Sequence, residues 1–254
     1  MAVSYSGDGH FGTVTLDNPP ANSYDGEVMG EFAAAVDEAM AGEARVVVVR
    51  SASEKFFSAG GDVKKFIAND VRTNMDMVRL SHATFARMAA APQVFIAFIA
   101  GHALGGGLEI ALACDLRVAA AGSYKLGTPE VTLGLLPGNG GTQRLSRLIG
   151  TSRAMDLLLT GRTFTPEEGL ALGVLNALHP ADDAEGELRA LSGRLAASPQ
   201  QAVAAIKRCV HEGADRRLED GLRIERELNE GLFASADAHE GMTAFVEKRN
   251  PVFA

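Results

Sequence analysis

The stretch VFIAFIAGHALGGGLEIALACDLRVAA, residues 94–120, decides the fold. It opens on VFIAFIAG, a continuously apolar run of the kind that parallel strands covered on both faces require. Glycines then break the chain at GHALGGG, GGLEIALACD reads as an apolar helix, and LRVAA (116–120) reads as the next strand. A strand, a sharp turn, a helix and a second strand make an α/β crossover. One carboxylate, Glu109, stands inside the apolar helix and needs a reason.

Outward from this unit the same grammar repeats. GTVTLD (12–17) and RVVVVR (45–50) read as strands, and GEVMGEFAAAVDEAMAG and MVRLSHATFARMAAA read as helices, the second closed by Pro92. From about residue 190 the strand signals stop. SGRLAASPQQAVAAIKRCVHEG, RRLEDGLRIERELNEGLFAS and DAHEGMTAFVEKRN are helical in composition, and the pairs Leu218/Leu222 and Ile224/Leu228 make one segment amphipathic. The expected division is a core over residues 1–190 and a helical region over 191–254. No Ser/Gly-rich linker separates them, so the helical region should pack on the body or on a partner subunit.

Composition bounds the function. With 254 residues, 46% of them hydrophobic, the chain can bury a full core. A formal net charge of -8 argues against nucleic acid, which asks for a concentrated basic face. There is no apolar run long enough to span a bilayer, and MAVSYSGDGH lacks the basic and apolar regions of a signal peptide, so a cytoplasmic location is expected. Cys114 and Cys209 match no metal or redox spacing and are expected as buried small hydrophobes.

The glycines invite a phosphate-loop reading, because N–H groups at a helix start bind anions. The details oppose it: no Lys-Ser/Thr follows GHALGGG, and GGGLEI lacks the Gly-x-Gly-x-x-Gly spacing. A better account has the free N–H groups of the first helical turn stabilise an oxyanion above the strand end, with Glu109 one turn inside. On an exposed face Glu109 would instead only complement the helix dipole. KFFSAGGDVKKF (55–66) is a second small-residue turn, in which Asp62 caps a helix start ahead of the basic pair Lys64 and Lys65. LGTPEVTLGLLPGNGGTQRL (126–145) places Glu130 after Pro129 in an otherwise uncharged run, then a tight loop from Pro137. Either Glu130 is a surface carboxylate or, beside Glu109 and the oxyanion donors, it completes an acid/base pair.

In FFSAGGD, GHALGGGLEIALACD, TPEVTLGLLPGNGGTQRL, TGRTFTPEEGLALGVLN and EGMTAFVEKR the sequence resembles the crotonase (enoyl-CoA hydratase/isomerase) superfamily, and most closely the hydratase pattern. The likeness runs over nearly the whole chain. It implies an α/β fold with a crotonase-like ββα spiral core and a C-terminal helical trimerisation subdomain, assembled as a homotrimer or dimer of trimers. The implied substrate is an acyl-CoA thioester, with CoA part of the substrate and no metal or redox cofactor. By matched position, Gly61 and Gly106 correspond to the backbone donors for the thioester oxygen. Glu109 and Glu130 correspond to the catalytic glutamates, and Gly138 to an N–H near the catalytic water. Ala59 and Val63 correspond to the adenine recess, with Lys64 next to them, while Phe245 and Lys248 correspond to tail residues that reach a CoA site. The implied reaction is syn addition of water to a trans-2-enoyl-CoA, as in fatty acid β-oxidation. Glu109 is then the base and Glu130 the source of the α-proton, in roles that can be coupled or exchanged.

Alternatives on the same scaffold are a Δ3,Δ2-enoyl-CoA isomerase, a decarboxylase, an acyl-CoA hydrolase, or a non-catalytic acyl-CoA or RNA binder. The chain departs from the family at ANSYDGEVM, where Asn-Ala and a small apolar residue are usual, and residues 67–90 fall where the family varies its acyl pocket. Among other candidates, His102 is expected to make a structural hydrogen bond and Asp115 to cap or pair locally. Lys207 is expected to lie along the surface or reach a CoA phosphate, and His82 carries no assignment.

Overall fold

Alternate residues of the parallel strands face opposite sides of one sheet, and both sides are covered. The computed structural model describes residues 1–253. The chain runs through β1 (Val3–Asp8), β2 (Phe11–Leu16), β3 (Ser23–Tyr24), α1 (Gly26–Ala41), β4 (Val46–Ser51), β5 (Phe56–Ser58), β6 (Gly60–Gly61), α2 (Val63–Ala68) and α3 (Val71–Ala90). It continues through β7 (Val94–Ile99), β8 (His102–Leu104), α4 (Gly106–Ala113), β9 (Leu116–Ala120), β10 (Leu126–Gly127), a 3-10 helix (Pro129–Leu133), α5 (Gly141–Ile149) and α6 (Thr151–Thr160). α7 (Pro166–Leu172), β11 (Ala177–His179), α8 (Ala181–Ala196), α9 (Gln200–Gly213), α10 (Leu218–Phe233) and α11 (Ala236–Glu247) complete it.

Six strands form the main sheet in the order β1-β2-β4-β7-β9-β11. The β1–β2 hairpin is antiparallel and the other pairings are parallel. β10, β8 and β5 form a small parallel sheet, and β3 pairs with β6. A spiral follows from this order. β4, β7 and β9 each leave the main sheet for a strand of the small one (β5, β8, β10), and each pass then reaches a helix start. Those starts, at α2, α4 and the 3-10 helix, are therefore stacked side by side.

All six residues of β7 are buried, as a continuously apolar run demands. Val47, Val49, Phe95, Ala97 and Ile99 join the core with Phe32, Phe85 and Leu108. Their alternates Val46, Val94, Ile96, Phe98 and Val118 pack with Ala184 and Leu188 of α8 on the opposite face. Removing a side chain such as Phe95 costs about 3–5 kcal/mol.

The expected strands in the first half appear within a residue or two, while β1 and β11 were not foreseen. α3 starts before the expected helix because Asp70 caps it, accepting from Thr73 N at 2.7 Å. The division at residue 190 falls inside α8, whose Ala184, Leu188 and Ala196 are buried on the sheet. Loss of strand signals there marks the last strand of the sheet, not the edge of the core.

Lys207 is neither on the surface nor free to reach a ligand. Its Nζ donates to Met88 O and Gln93 O at 2.7 Å each and to Asp115 Oδ2 at 2.8 Å. α9 docks over the C-terminal turn of α3, so the ammonium meets carbonyls that have no helical partner there. Asp115 also accepts from Phe95 N, and so pairs across elements rather than locally. His102 Nδ1 accepts from Lys125 N at 3.0 Å, the structural bond expected of it. Cys114 is buried, and burial pushes its thiol up to about 12, whereas Cys209 is only half-buried. Among the described residues no helix is long and apolar enough to cross a membrane.

Candidate active site

Two glycine turns meet where the spiral brings helix starts together. Gly60 has φ +85, and a side-chain carbon there would lie 2.8 Å from both Gly106 N and Leu104 O. Only glycine lets the β5–β6 turn press so closely on the start of α4. Gly106 is the first residue of α4, so its N–H has no acceptor within the helix. On the facing turn Asp62 N donates to Tyr24 O at 2.8 Å, and alternation along the strand turns the Gly61 N–H the other way. Asp62 caps α2 by accepting from Lys64 N and Lys65 N.

Glu109 is 1% exposed in the first turn of α4. Its Oε1 accepts from Asn139 N at 2.7 Å and from Gly141 N at 2.6 Å, at the start of α5. Burial pushes its carboxyl up to about 7. The N–H bonds and the Arg144 guanidinium pull it down, and the charge of Glu130 adds to the rise. Glu130 comes from the 3-10 helix that Pro129 opens. Its Oε1 lies 2.9 Å from where a side-chain carbon on Gly105 would begin, and its buried Oε2 has no hydrogen-bond partner. Desolvation raises this carboxyl above the usual range as well. The structure thus brings together Gly61, Gly106, Glu109 and Glu130, from three separate segments of the sequence.

The loop between the two carboxylates is held by residues that sequence reasoning missed. Asn139 Nδ2 donates to Tyr24 Oη at 2.6 Å, and Arg144 Nη1 donates to Asn139 O at 3.0 Å. His82 Nε2 is 2.7 Å from Gly138 O, tying α3 to the loop. The Gly138 carbonyl is thereby engaged, while the N–H groups on Glu109 belong to Asn139 and Gly141. Tyr24 is 3% exposed, and its Oη occupies the place a side chain on Gly106 would need, 1.6 Å from that carbon. Its one signal in the sequence was the departure at ANSYDGEVM.

The remaining expected residues are more scattered. Ala59 is half-buried beside Gly60, while Val63 and Lys64 are exposed on α2. Phe245 is 84% exposed on α11, so it packs on little of its own chain, and Lys248 ends that helix in a left-handed conformation. Among the described residues no group of three or more His, Cys, Asp or Glu side chains is placed to hold a metal ion. Chemically, paired N–H donors can hold an anionic oxygen, and two carboxyls held above their usual range can act as proton donor and acceptor.

Comparison with known proteins identifies the family and the fold. The family model described as Enoyl-CoA hydratase/isomerase matches residues 8–254. A Mycobacterium bovis protein named "Probable enoyl-CoA hydratase echA8" is 39% identical over 97% of this chain and 95% of its own. A crystal structure from Geobacillus kaustophilus HTA426 is 42% identical and superposes with a TM-score of 0.96 over 99% of this chain and 96% of that one. The Bacillus anthracis enoyl-CoA hydratase structure is 34% identical, with a TM-score of 0.93 over 100% and 99%. The chain belongs to the crotonase family of enoyl-CoA hydratases and isomerases, and has that family's α/β fold with C-terminal helices.

Proposed function

We propose that the protein is an enoyl-CoA hydratase adding water syn across the double bond of a trans-2-enoyl-CoA to give a 3-hydroxyacyl-CoA. The observation that carries this reading is the pair of carboxyls, Glu109 buried and Glu130 half-buried with its Oε2 out of solvent, beside two facing glycine turns. The thioester oxygen accepts from the N–H groups of Gly61 and Gly106, each worth roughly 2.7–4 kcal/mol to the barrier. Water sits between the carboxyls, near Gly138. Glu109, ionised in a good fraction of molecules at neutral pH, takes a proton from the water as its oxygen bonds to the β-carbon. The electron pair of the double bond moves into the thioester enolate, and neutral Glu130 gives its proton to the α-carbon. A proton passing from Glu109 to Glu130 restores both groups. Their titrations are coupled through the shared site.

In this reading Ala59, Val63 and Lys64 form the lip for the adenine, and Phe245 and Lys248 reach a CoA site. The exposed apolar residues of α9–α11 close a homotrimer, or a dimer of trimers. The reaction asks for no metal or redox group, since CoA arrives with the substrate.

The test is hydration of crotonyl-CoA, followed as loss of the conjugated enoyl-thioester absorbance. Glu109→Gln and Glu130→Gln are each expected to lower kcat by roughly 10²- to 10⁴-fold. Absence of hydration by the wild type, or full activity in either variant, overturns the reading.

A further inference from the structure

Tyr24 is a buried group with a polar hydroxyl that the hydration scheme leaves unused. A hydroxyl taken out of water is costly unless it is hydrogen-bonded, and an apolar ring would fill the same space without that cost. Here the hydroxyl partners a buried amide, since Asn139 is 4% exposed and its Nδ2 donates to Tyr24 Oη at 2.6 Å. The other amide atom, Oδ1, has no partner, so this bond is what orients the Asn139 side chain. The main chain of the same residue carries the N–H that meets Glu109 Oε1 at 2.7 Å. Tyr24 Oη is also packed against Gly106. One side chain thus touches the glycine at the start of α4 and, through Asn139, the carboxylate one turn further on.

We propose that Tyr24 is a positioning residue whose hydroxyl, by holding the Asn139 side chain, keeps the Asn139 N–H on the Glu109 carboxylate. The charged groups acting on Glu109 are Glu130 from the 3-10 helix and Arg144 from α5. Tyr24, from β3, is not one of them: burial first, and then both carboxylates, hold its proton on. Tyr24→Phe therefore removes no charge, and any change in the Glu109 titration must come through the lost hydrogen bond. An N–H bond favours the ionised carboxylate, so loosening it moves the Glu109 midpoint upward.

The kinetic form of this inference rests on Glu109 being the base, but its physical form does not, and the experiment separates the two. Carboxyl carbon NMR of protein labelled at glutamate, with Glu109 assigned by its loss in Glu109→Gln, gives the midpoint directly. Tyr24→Phe and Asn139→Ala are each expected to raise it by about half a unit or more. The double variant is expected to go no further than Asn139→Ala alone, because both act along one chain of contacts. On crotonyl-CoA, kcat of Tyr24→Phe should fall about 10-fold with KM within about 2-fold, and the acid limb of the kcat profile should move up with the NMR midpoint. An unmoved midpoint in Tyr24→Phe, or shifts that add in the double variant, overturns the proposal. Should Tyr24→Phe fail to fold, an unmoved midpoint in Asn139→Ala does so instead. If the wild type does not hydrate crotonyl-CoA, the hydratase reading fails and the NMR midpoints still decide the role of Tyr24.

Discussion

Around α4 the polar groups are inside, and along α10 and α11 the large apolar ones are outside. Glu109, Asn139, Thr128 and the Tyr24 hydroxyl are buried near the glycine turns. Leu218, Phe233, Phe245 and Val246 are each at least 67% exposed on the last helices. The two regions invert the usual rule in opposite ways, for different reasons. Buried carboxyls are kept where chemistry needs a shifted pKa. Exposed apolar side chains mark a surface that gains by being covered. Lys207 on α9 joins the regions, because its ammonium is bonded to carbonyls and a carboxylate of the core.

Breaking that joint should have the largest effect on stability. Lys207→Ala leaves the largely buried Asp115 without its ammonium partner, the His211 ring Nε2 remaining at 3.2 Å. Removing one member of a buried pair costs about 3–5 kcal/mol, whereas replacing both by apolar or neutral groups of similar size costs much less. Urea unfolding is expected to show a large loss for Lys207→Ala and a smaller one for the Lys207→Met/Asp115→Asn double variant. A double variant as unstable as the single would mean that packing of α9, and not the charge, holds the joint.

How far the sequence reached follows the same contrast. The runs at β4, β7 and β9 announce themselves because both of their faces are covered, and GGLEIALACD announces α4. The carboxylates were legible because each interrupts an uncharged stretch. β1 was not, since VSYSGD on the sheet edge is half-solvated, and β11 is three residues long. Lys207 was misread because an isolated lysine on a helix looks the same whether it snorkels outward or is driven into carbonyls. Tyr24, His82 and Arg144 converge on the 138–139 loop from far along the chain or from another face, and no local pattern encodes that.

A smaller effect separates buried polarity from exposed polarity by its pH dependence. Glu109 titrates at about 7 in the fold against 4.5 as its ordinary value. The folded state holds this proton more tightly than the unfolded chain does, so the stabilisation is complete below about pH 4.5 and is lost as pH rises through 7. At 1.36 kcal/mol per unit the loss amounts to about 3 kcal/mol. Glu109→Gln keeps an acceptor for Asn139 N and Gly141 N but does not titrate. It is expected to be more stable than wild type at pH 8, by up to about 3 kcal/mol, and close to wild type near pH 4.5. The check is urea unfolding at both pH values; an equal difference at each would show that burial does not raise this pKa.

The smallest effect belongs to the exposed side and depends on concentration. Phe245 is 84% exposed, so within one protomer Phe245→Ser removes little packing and should change stability by less than about 0.5 kcal/mol. In the proposed trimer the same ring is covered, and subunit binding adds stability in proportion to the logarithm of protein concentration. Wild-type Tm should then rise on concentration, while Phe245→Ser should match it in dilute solution and fall behind in concentrated solution. Sedimentation at the two concentrations checks that the gap opens as trimer forms. A gap already present in dilute monomer would mean that Phe245 packs on its own chain, and a gap absent at both would remove it from the interface. Either result changes which part of the tail is needed to cover the exposed apolar face, and leaves the polar interior around Glu109 untouched.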